Sequence, residues 1–241
     1  MTSKRKIYLI TGAGSGLGKY LHKNIPGSLG LTRSNRDEIL RYCTKIEDLV
    51  ILHCAFNAKR DVEDYSDYLD DNVFLTMELL SLPYSRFVYF SSVDVYGALT
   101  PYSFLKRAVG DLIAKVADNY LILKLPAILG PYMRPNSLIR VLEEAPGLTL
   151  SAESSFNYVL QSDILNLVAA DKTTEIVGEY DFVSSTNVTL AEIASHYNKN
   201  VTFGNFTYET NLSKILEKNN LHPSRTRTSL EKIELFLEET K

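Results

Sequence analysis

The sequence predicts an α/β fold with a doubly wound parallel sheet, on two observations. Short runs rich in Val, Ile and Leu alternate with helical periodicities through residue 126, and a glycine-rich turn follows the first run. Strands covered on both faces read as continuous apolar stretches, and regular strand–helix alternation gives parallel strands with right-handed crossovers. At 241 residues, 45% hydrophobic and 23% charged, the chain has the size and composition of one such domain with a small addition.

The elements follow in order. "KIYLI" at 6–10 is a buried strand ended by glycines, and "LGKYLHKNI" has helical spacing up to Pro26. "SLGLTR" at 28–33 and "DLVILHCA" at 48–55 are the second and third strands, and "NVFLTMELLSL" at 72–82 is a helix stopped by Pro83. "RFVYFSS" at 86–92 is a strand. In the helix after it, 102–117, Leu105, Val109, Leu112, Ile113 and Val116 recur at three- and four-residue steps and make one apolar face. "YLILKLP" at 120–126 is the next strand.

Beyond it the pattern loosens. A helix at "PNSLIRVLEEA", a short strand "LTLS", a helix at "QSDILNLVAAD" and a strand "EYDFVSS" are expected, then short helices to the end. Thr189, three residues before Glu192, has the form of a capping box. Residues 1–125 read as the core and 126–241 as a small C-terminal region interleaved with a core strand at about 178–185.

A formal charge of -3 gives no basic footprint, so no nucleic-acid partner is expected. The four histidines lie far apart and Cys43 and Cys54 form no metal-type pair, so neither a metal nor a disulfide framework is expected. No apolar run reaches membrane-spanning length, and "KIYLITG" reads as folded structure rather than a leader. The default setting is cytoplasmic, with no membrane partner.

"ITGAGSGLGK" at 10–19 lies between a predicted strand and a predicted helix, the context in which glycines bind a dinucleotide. Gly12, Gly14, Gly16 and Gly18, with Ser15 and Leu17 between them, let the backbone turn tightly against a pyrophosphate, which sits on the free N–H groups of the helix N-terminus. This predicts a Rossmann-type sheet. After the second strand an acidic residue would serve the ribose 2′-hydroxyl of NAD. The chain has instead Arg33, Ser34 and, close by, Arg36, and a guanidinium fork suits the 2′-phosphate of NADP. NADP is therefore favoured over NAD.

"SSVDVYGALTPYSFLK" at 91–106 places serines at a strand end and Tyr102 and Lys106 one turn apart on the following helix. Tyr120 and Lys124 have the same spacing, but in a strand they would stand about 13 Å apart. An ammonium beside a phenol would lower its pKa from about 10 toward the working range. Tyr102 could then exchange a proton with a substrate oxygen while Ser92 hydrogen-bonds that oxygen.

With "TGAGSGLG" at 11–18, "VILHCA" at 50–55, "RFVYFSSVDVYG" at 86–97, "PYSFLK" at 101–106, "LKLPAILGP" at 123–131 and "YVLQSDI" at 158–164, the chain resembles the short-chain dehydrogenases/reductases. It is most similar to their extended branch of sugar-nucleotide epimerases, dehydratases and reductases. The resemblance implies a catalytic trio of Ser92, Tyr102 and Lys106, with Tyr102 and Lys106 also touching the cofactor. Ala55, Pro126 and Ala127 would be further cofactor contacts, and Asn72 a matching helix-start asparagine. It also implies a homodimer through the helices near 72–82 and 102–117.

The sequence departs from that family in three places. Its glycines have the spacing of single-domain members. The stretch between Arg33 and Val50 is short, so the strand and helix usual there are expected to be reduced or missing. Only residues 98–101 separate Gly97 from Tyr102. Arg134, Asn136, Arg227 and Lys59 are the candidate substrate contacts. The implied function is NAD(P)-dependent oxidoreduction or epimerisation of a nucleotide-linked sugar. The alternatives are a carbonyl reductase of a small non-sugar substrate and a non-catalytic NADP-binding redox sensor.

Overall fold

A computed structural model describes residues 6–58, 65–97, 100–169, 176–217 and 227–240. Its centre is a sheet of six parallel strands: β1 (Ile7–Thr11), β2 (Leu29–Leu31), β3 (Leu49–His53), β4 (Tyr84–Ser92), β5 (Tyr120–Leu125) and, far along the chain, a strand at Gly178–Asp181. The spatial order is β2-β1-β3-β4-β5 and then the Gly178–Asp181 strand on the outer edge. From β1 the chain moves outward to β2 and then returns to place β3 on the other side of β1. The crevice at the strand ends beside such a reversal is where α/β sheets bind ligands.

Period-two alternation sorts the strand side chains onto two faces. Leu9, Ile51, Phe87, Tyr89 and Ile122 point to one face, where Leu79, Val109 and Ile113 from helices α4 (Leu75–Leu80) and α5 (Pro101–Val116) cover them. Ile10, Val50, Leu52, Val88, Leu121 and Leu123 point to the other, covered by Leu21 of α1 (Gly16–Asn24) and by Ile164 and Val168 of the helix Gln161–Ala169. Each fully buried aliphatic side chain contributes about 1.5–3 kcal/mol.

The short link from Arg33 to Leu49 keeps a helix, α2 (Arg36–Cys43), but no strand, which is why β2 is the sheet's edge. The helix expected at 72–82 begins earlier, as α3 (Tyr65–Leu69). It passes through one widened π turn, Asp70–Phe74, before α4. In α5 the apolar stripe is rotated from the expected one. Ser103, Lys106, Val109, Gly110 and Ile113 are buried, while Val116 is exposed, because the helix turns Lys106 toward the strand ends.

The C-terminal residues gather on a third apolar cluster that includes Leu138, Val141, Leu160, Ile193, Ile233 and Phe236. The expected strand "LTLS" is only an isolated bridge, Leu150 to Phe206. The Thr189–Glu192 capping box is formed. No helix among the described residues is long and apolar enough to cross a membrane.

Candidate active site

The glycine turn leaves β1 at Thr11 and enters α1. Gly12 has φ +67°, and a Cβ there would lie 3.1 Å from the Ala55 backbone. A Cβ on Gly18 would meet the Gly12 carbonyl oxygen at 2.4 Å, so α1 lies directly on the turn. Gly16, at φ +54°, has nothing within 4 Å of its Cβ position and faces open space. Ser15 precedes α1 without capping it through its side chain, and the first turn carries no acid. Backbone donors without a capping side chain beside an open concavity fit a pyrophosphate.

That concavity is a groove of about 710 Å³. Its walls are Gly12 to Gly18, then Thr32, Arg33, Ser34 and Arg36, then Cys54 to Ala58, with Asp71, Leu75 and Arg134 completing it. Gly12 to Gly18, Arg33, Ser34 and Ala55, expected from the sequence at a dinucleotide, are among these walls; Asp71 and the loop after Ala55 are additions that the sequence does not reveal.

A buried hydrogen-bond chain fixes the groove floor. The Ala55 N–H donates to Thr11 Oγ1 at 2.8 Å, and Thr11 Oγ1 lies 2.8 Å from His53 Nδ1. On the far side His53 Nε2 is 3.0 Å from Thr76 Oγ1, which donates to the Asn72 carbonyl at 2.7 Å. The chain assigns the proton to Nε2. Burial, with Lys106 nearby, brings the His53 pKa down to about 3, so the ring is a neutral strut. The buried Asn72 amide accepts from the Asn57 N–H at 2.7 Å and donates to the Asn57 carbonyl at 3.1 Å, tying the π turn to the loop after β3.

The two arginines at the β2 end of the groove are already partnered. Arg33 donates from Nε to Asp71 Oδ1 at 2.9 Å and from Nη2 to Oδ2. Arg36 donates to Asp70 at 2.7 Å and Glu78 at 2.9 Å. The hydrogen bond from Arg33 holds the Asp71 carboxyl below the usual carboxylate range.

Ser92 ends β4, and its hydroxyl accepts from the Asp94 N–H at 3.2 Å to start a 3₁₀ turn, Val93–Tyr96. Helix α5 begins at a capping box of Thr100 and Ser103, with Pro101 in its first turn, and this sets Tyr102 at the strand end. The Tyr102 phenol bonds with Ser92, and its ring meets Phe56 edge-on at 5.3 Å. Lys106 is buried. Its Nζ donates to the Phe90 carbonyl at 2.7 Å and stands 4.1 Å above the Phe56 ring and 4.9 Å above the Tyr89 ring.

The expected drop in the Tyr102 pKa is not found. Burial raises it to about 12, against the lowering effect of Ser92, because the ammonium is turned to a carbonyl rather than to the phenol. Burial likewise lowers Lys106 to about 7. Two residues the sequence reading did not single out stand beside the trio. The Tyr208 phenol donates to Asp94 at 2.8 Å, and both lie within electrostatic reach of Tyr102. Asp94 could have been found from its place in the turn after Ser92. Tyr208, 114 residues further on, carries no local signal. Tyr96 donates to Asp181 at 3.1 Å.

The remaining candidates are dispersed. Pro126 and Ala127 follow β5, and the Ala127 N–H donates to the Asn157 carbonyl at 3.2 Å. Arg134 lines the groove, and Asn136 caps the helix Ser137–Leu142 through Ile139 N at 3.2 Å. Arg227 lines a separate cavity of about 550 Å³ with Asp163 and Lys232. Arg227 is thus not brought to the groove that Arg134 lines. Lys59 lies outside the described residues.

Strand order, glycine turn and groove together define the class: a doubly wound, dinucleotide-type α/β fold. Solved structures of that fold superpose over nearly all of the chain. UDP-glucuronic acid 4-epimerase from Bacillus cereus, in complex with UDP-glucuronic acid and NAD, is 16% identical with a TM-score of 0.72, covering 98% of this chain and 100% of that one. dTDP-4-dehydrorhamnose reductase from Bacillus anthracis, in complex with NADP, is 16% identical with a TM-score of 0.73, covering 99% and 100%. UDP-glucose 4-epimerase from Thermus thermophilus, in complex with NAD, is 15% identical with a TM-score of 0.65, covering 95% and 99%. No family model and no curated protein sequence matches the chain.

Proposed function

We propose that the protein is an NADP-dependent oxidoreductase or epimerase acting on a nucleotide-linked sugar. The observation that carries this reading is the Ser92–Tyr102 hydrogen bond at the end of β4, with Phe56 of the groove against the Tyr102 ring and the Lys106 ammonium, beside a glycine turn that fits a pyrophosphate. The fold neighbours complexed with nucleotide-sugars and with NAD or NADP support the substrate and cofactor class. Arg33 directly after β2, in the place of the acidic residue that would serve a ribose 2′-hydroxyl, supports NADP over NAD.

The bound dinucleotide would supply hydride chemistry. The chain's residues do the rest. Gly14 to Leu17 hold phosphate, Ser92 hydrogen-bonds the substrate oxygen, and Tyr102, protonated at neutral pH, donates a proton to that oxygen. A protonated phenol favours net reduction of a keto-sugar. Lys106 orients the site from beneath. Residues 1–125 form the cofactor region and 126–241 the substrate region, with the strand at Gly178–Asp181 returned to the core. Exposed Phe74, Met77 and Phe104 on the paired helices support a homodimer, and two free cysteines suit the cytoplasm.

The test is a thermal-shift screen of nucleotide-sugars with NADP and with NAD, since the correct pair raises the melting point by mass action. It is joined to turnover assays of Tyr102→Phe. The reading expects cofactor binding as in the wild type and turnover reduced at least about 100-fold, the scale of general acid catalysis. Retained turnover would remove Tyr102 from the chemistry. Unchanged biological function without turnover would favour a redox sensor.

A further inference from the structure

The adenosine end of the groove holds a carboxylate that comes from neither β2 nor the loop after it. Asp71, in the π turn, lines the groove opposite Arg33 and Ser34 and takes both prongs of the Arg33 guanidinium. Asn57 Nδ2 donates to Asp71 Oδ2 at 2.9 Å, and the adjoining Asn72 is locked to the Asn57 backbone. The carboxylate is therefore the anchored member, with its side chain 16% exposed against 76% for Arg33. Arg36 is no substitute, because Asp70 and Glu78 hold its head.

We propose that Asp71 is the specificity-determining residue of the adenosine end: it competes with a 2′-phosphate for the Arg33 guanidinium and so sets how far the groove prefers NADP over NAD. The inference rests on the dinucleotide reading above. A guanidinium fork matches one carboxylate or one phosphate edge in bidentate fashion. A 2′-phosphate entering here meets an occupied fork and a fixed like charge. A ribose 2′-hydroxyl meets neither obstacle and can donate to a carboxylate. The Arg33 seen in the sequence thus makes a weaker NADP determinant than its position implies, because its counter-ion is built into the opposite wall.

Calorimetric titration of the full chain with NADP and with NAD tests this on the wild type, Asp71→Asn, Arg33→Ala and the double variant. Asp71→Asn should raise the NADP-to-NAD affinity ratio at least about tenfold, the scale of one charge-assisted contact. The gain should shrink with added salt, and the double variant should bind NADP more tightly than Arg33→Ala because the bare carboxylate is gone. Arg33→Ala, at an exposed side chain, should weaken NADP by at least about tenfold and leave NAD binding in place, since the bare carboxylate then faces the phosphate. An unchanged ratio in Asp71→Asn, or equal losses for both dinucleotides, overturns the role of Asp71. A wild type that binds neither dinucleotide overturns the dinucleotide reading itself, and the inference with it.

Discussion

At the scale of single residues, the site holds a buried lysine among neutral groups. Lys106 is 4% exposed, and its hydrogen-bond acceptor is a neutral carbonyl, with aromatic faces around it. Its pKa in the folded protein is about 7 against an ordinary 10.5. Between those values the unfolded chain holds a proton that the native state lacks. Stability from this group is therefore lost as pH falls from about 10.5 to 7, and below 7 the full cost of the buried charge remains. Lys106→Met should accordingly gain on the order of 1–3 kcal/mol at pH 7 while losing turnover. The gain, followed by denaturant melts, should shrink toward pH 10. A less stable variant at pH 7 would mean that the ammonium's contacts outweigh its desolvation. His53 follows the same sign in a lower window: its neutral ring costs stability as pH drops from about 6.5 toward 3, and His53→Gln should flatten that part of the melting curve.

At the scale of elements, the close seat of α1 on the glycine turn decides whether the groove exists. Alanine is favoured over glycine by about 1 kcal/mol inside a helix. At Gly18, however, a Cβ would press on the Gly12 oxygen at 2.4 Å. Gly18→Ala should destabilise by about 1–3 kcal/mol and weaken dinucleotide binding; a stabilised variant with intact binding would contradict the packing described. The sequence made this turn legible because its glycines are local, and it made β1, β3, β4 and β5 legible because strands covered on both faces are apolar without interruption. It did not show that Asp71 reaches Arg33 or that Tyr208 reaches Asp94, since nothing local records a contact closed by the fold. The rotation of α5 was hidden for a related reason. Periodicity counts apolar residues, and here a lysine takes a core-facing position, its ammonium held by the Phe90 carbonyl.

At the scale of the whole molecule, the missing strand beside β2 leaves the Arg33 end of the groove walled by short elements, and the site draws on distant parts of the chain. The exposed Phe74, Met77 and Phe104, at 52%, 52% and 57%, lie on the helices proposed to meet a second copy. Sedimentation should find a dimer, and Phe104→Glu a monomer with little change in melting point. A wild-type monomer at all concentrations would end that proposal. The account as a whole turns on the groove above Gly12 to Gly18. Its most direct measurement is a titration of the purified wild-type chain with NADP and NAD in a calorimeter. Saturable binding of at least one dinucleotide at one site per chain, lost when Gly18 is enlarged, is the predicted result. No heat from either dinucleotide would contradict it.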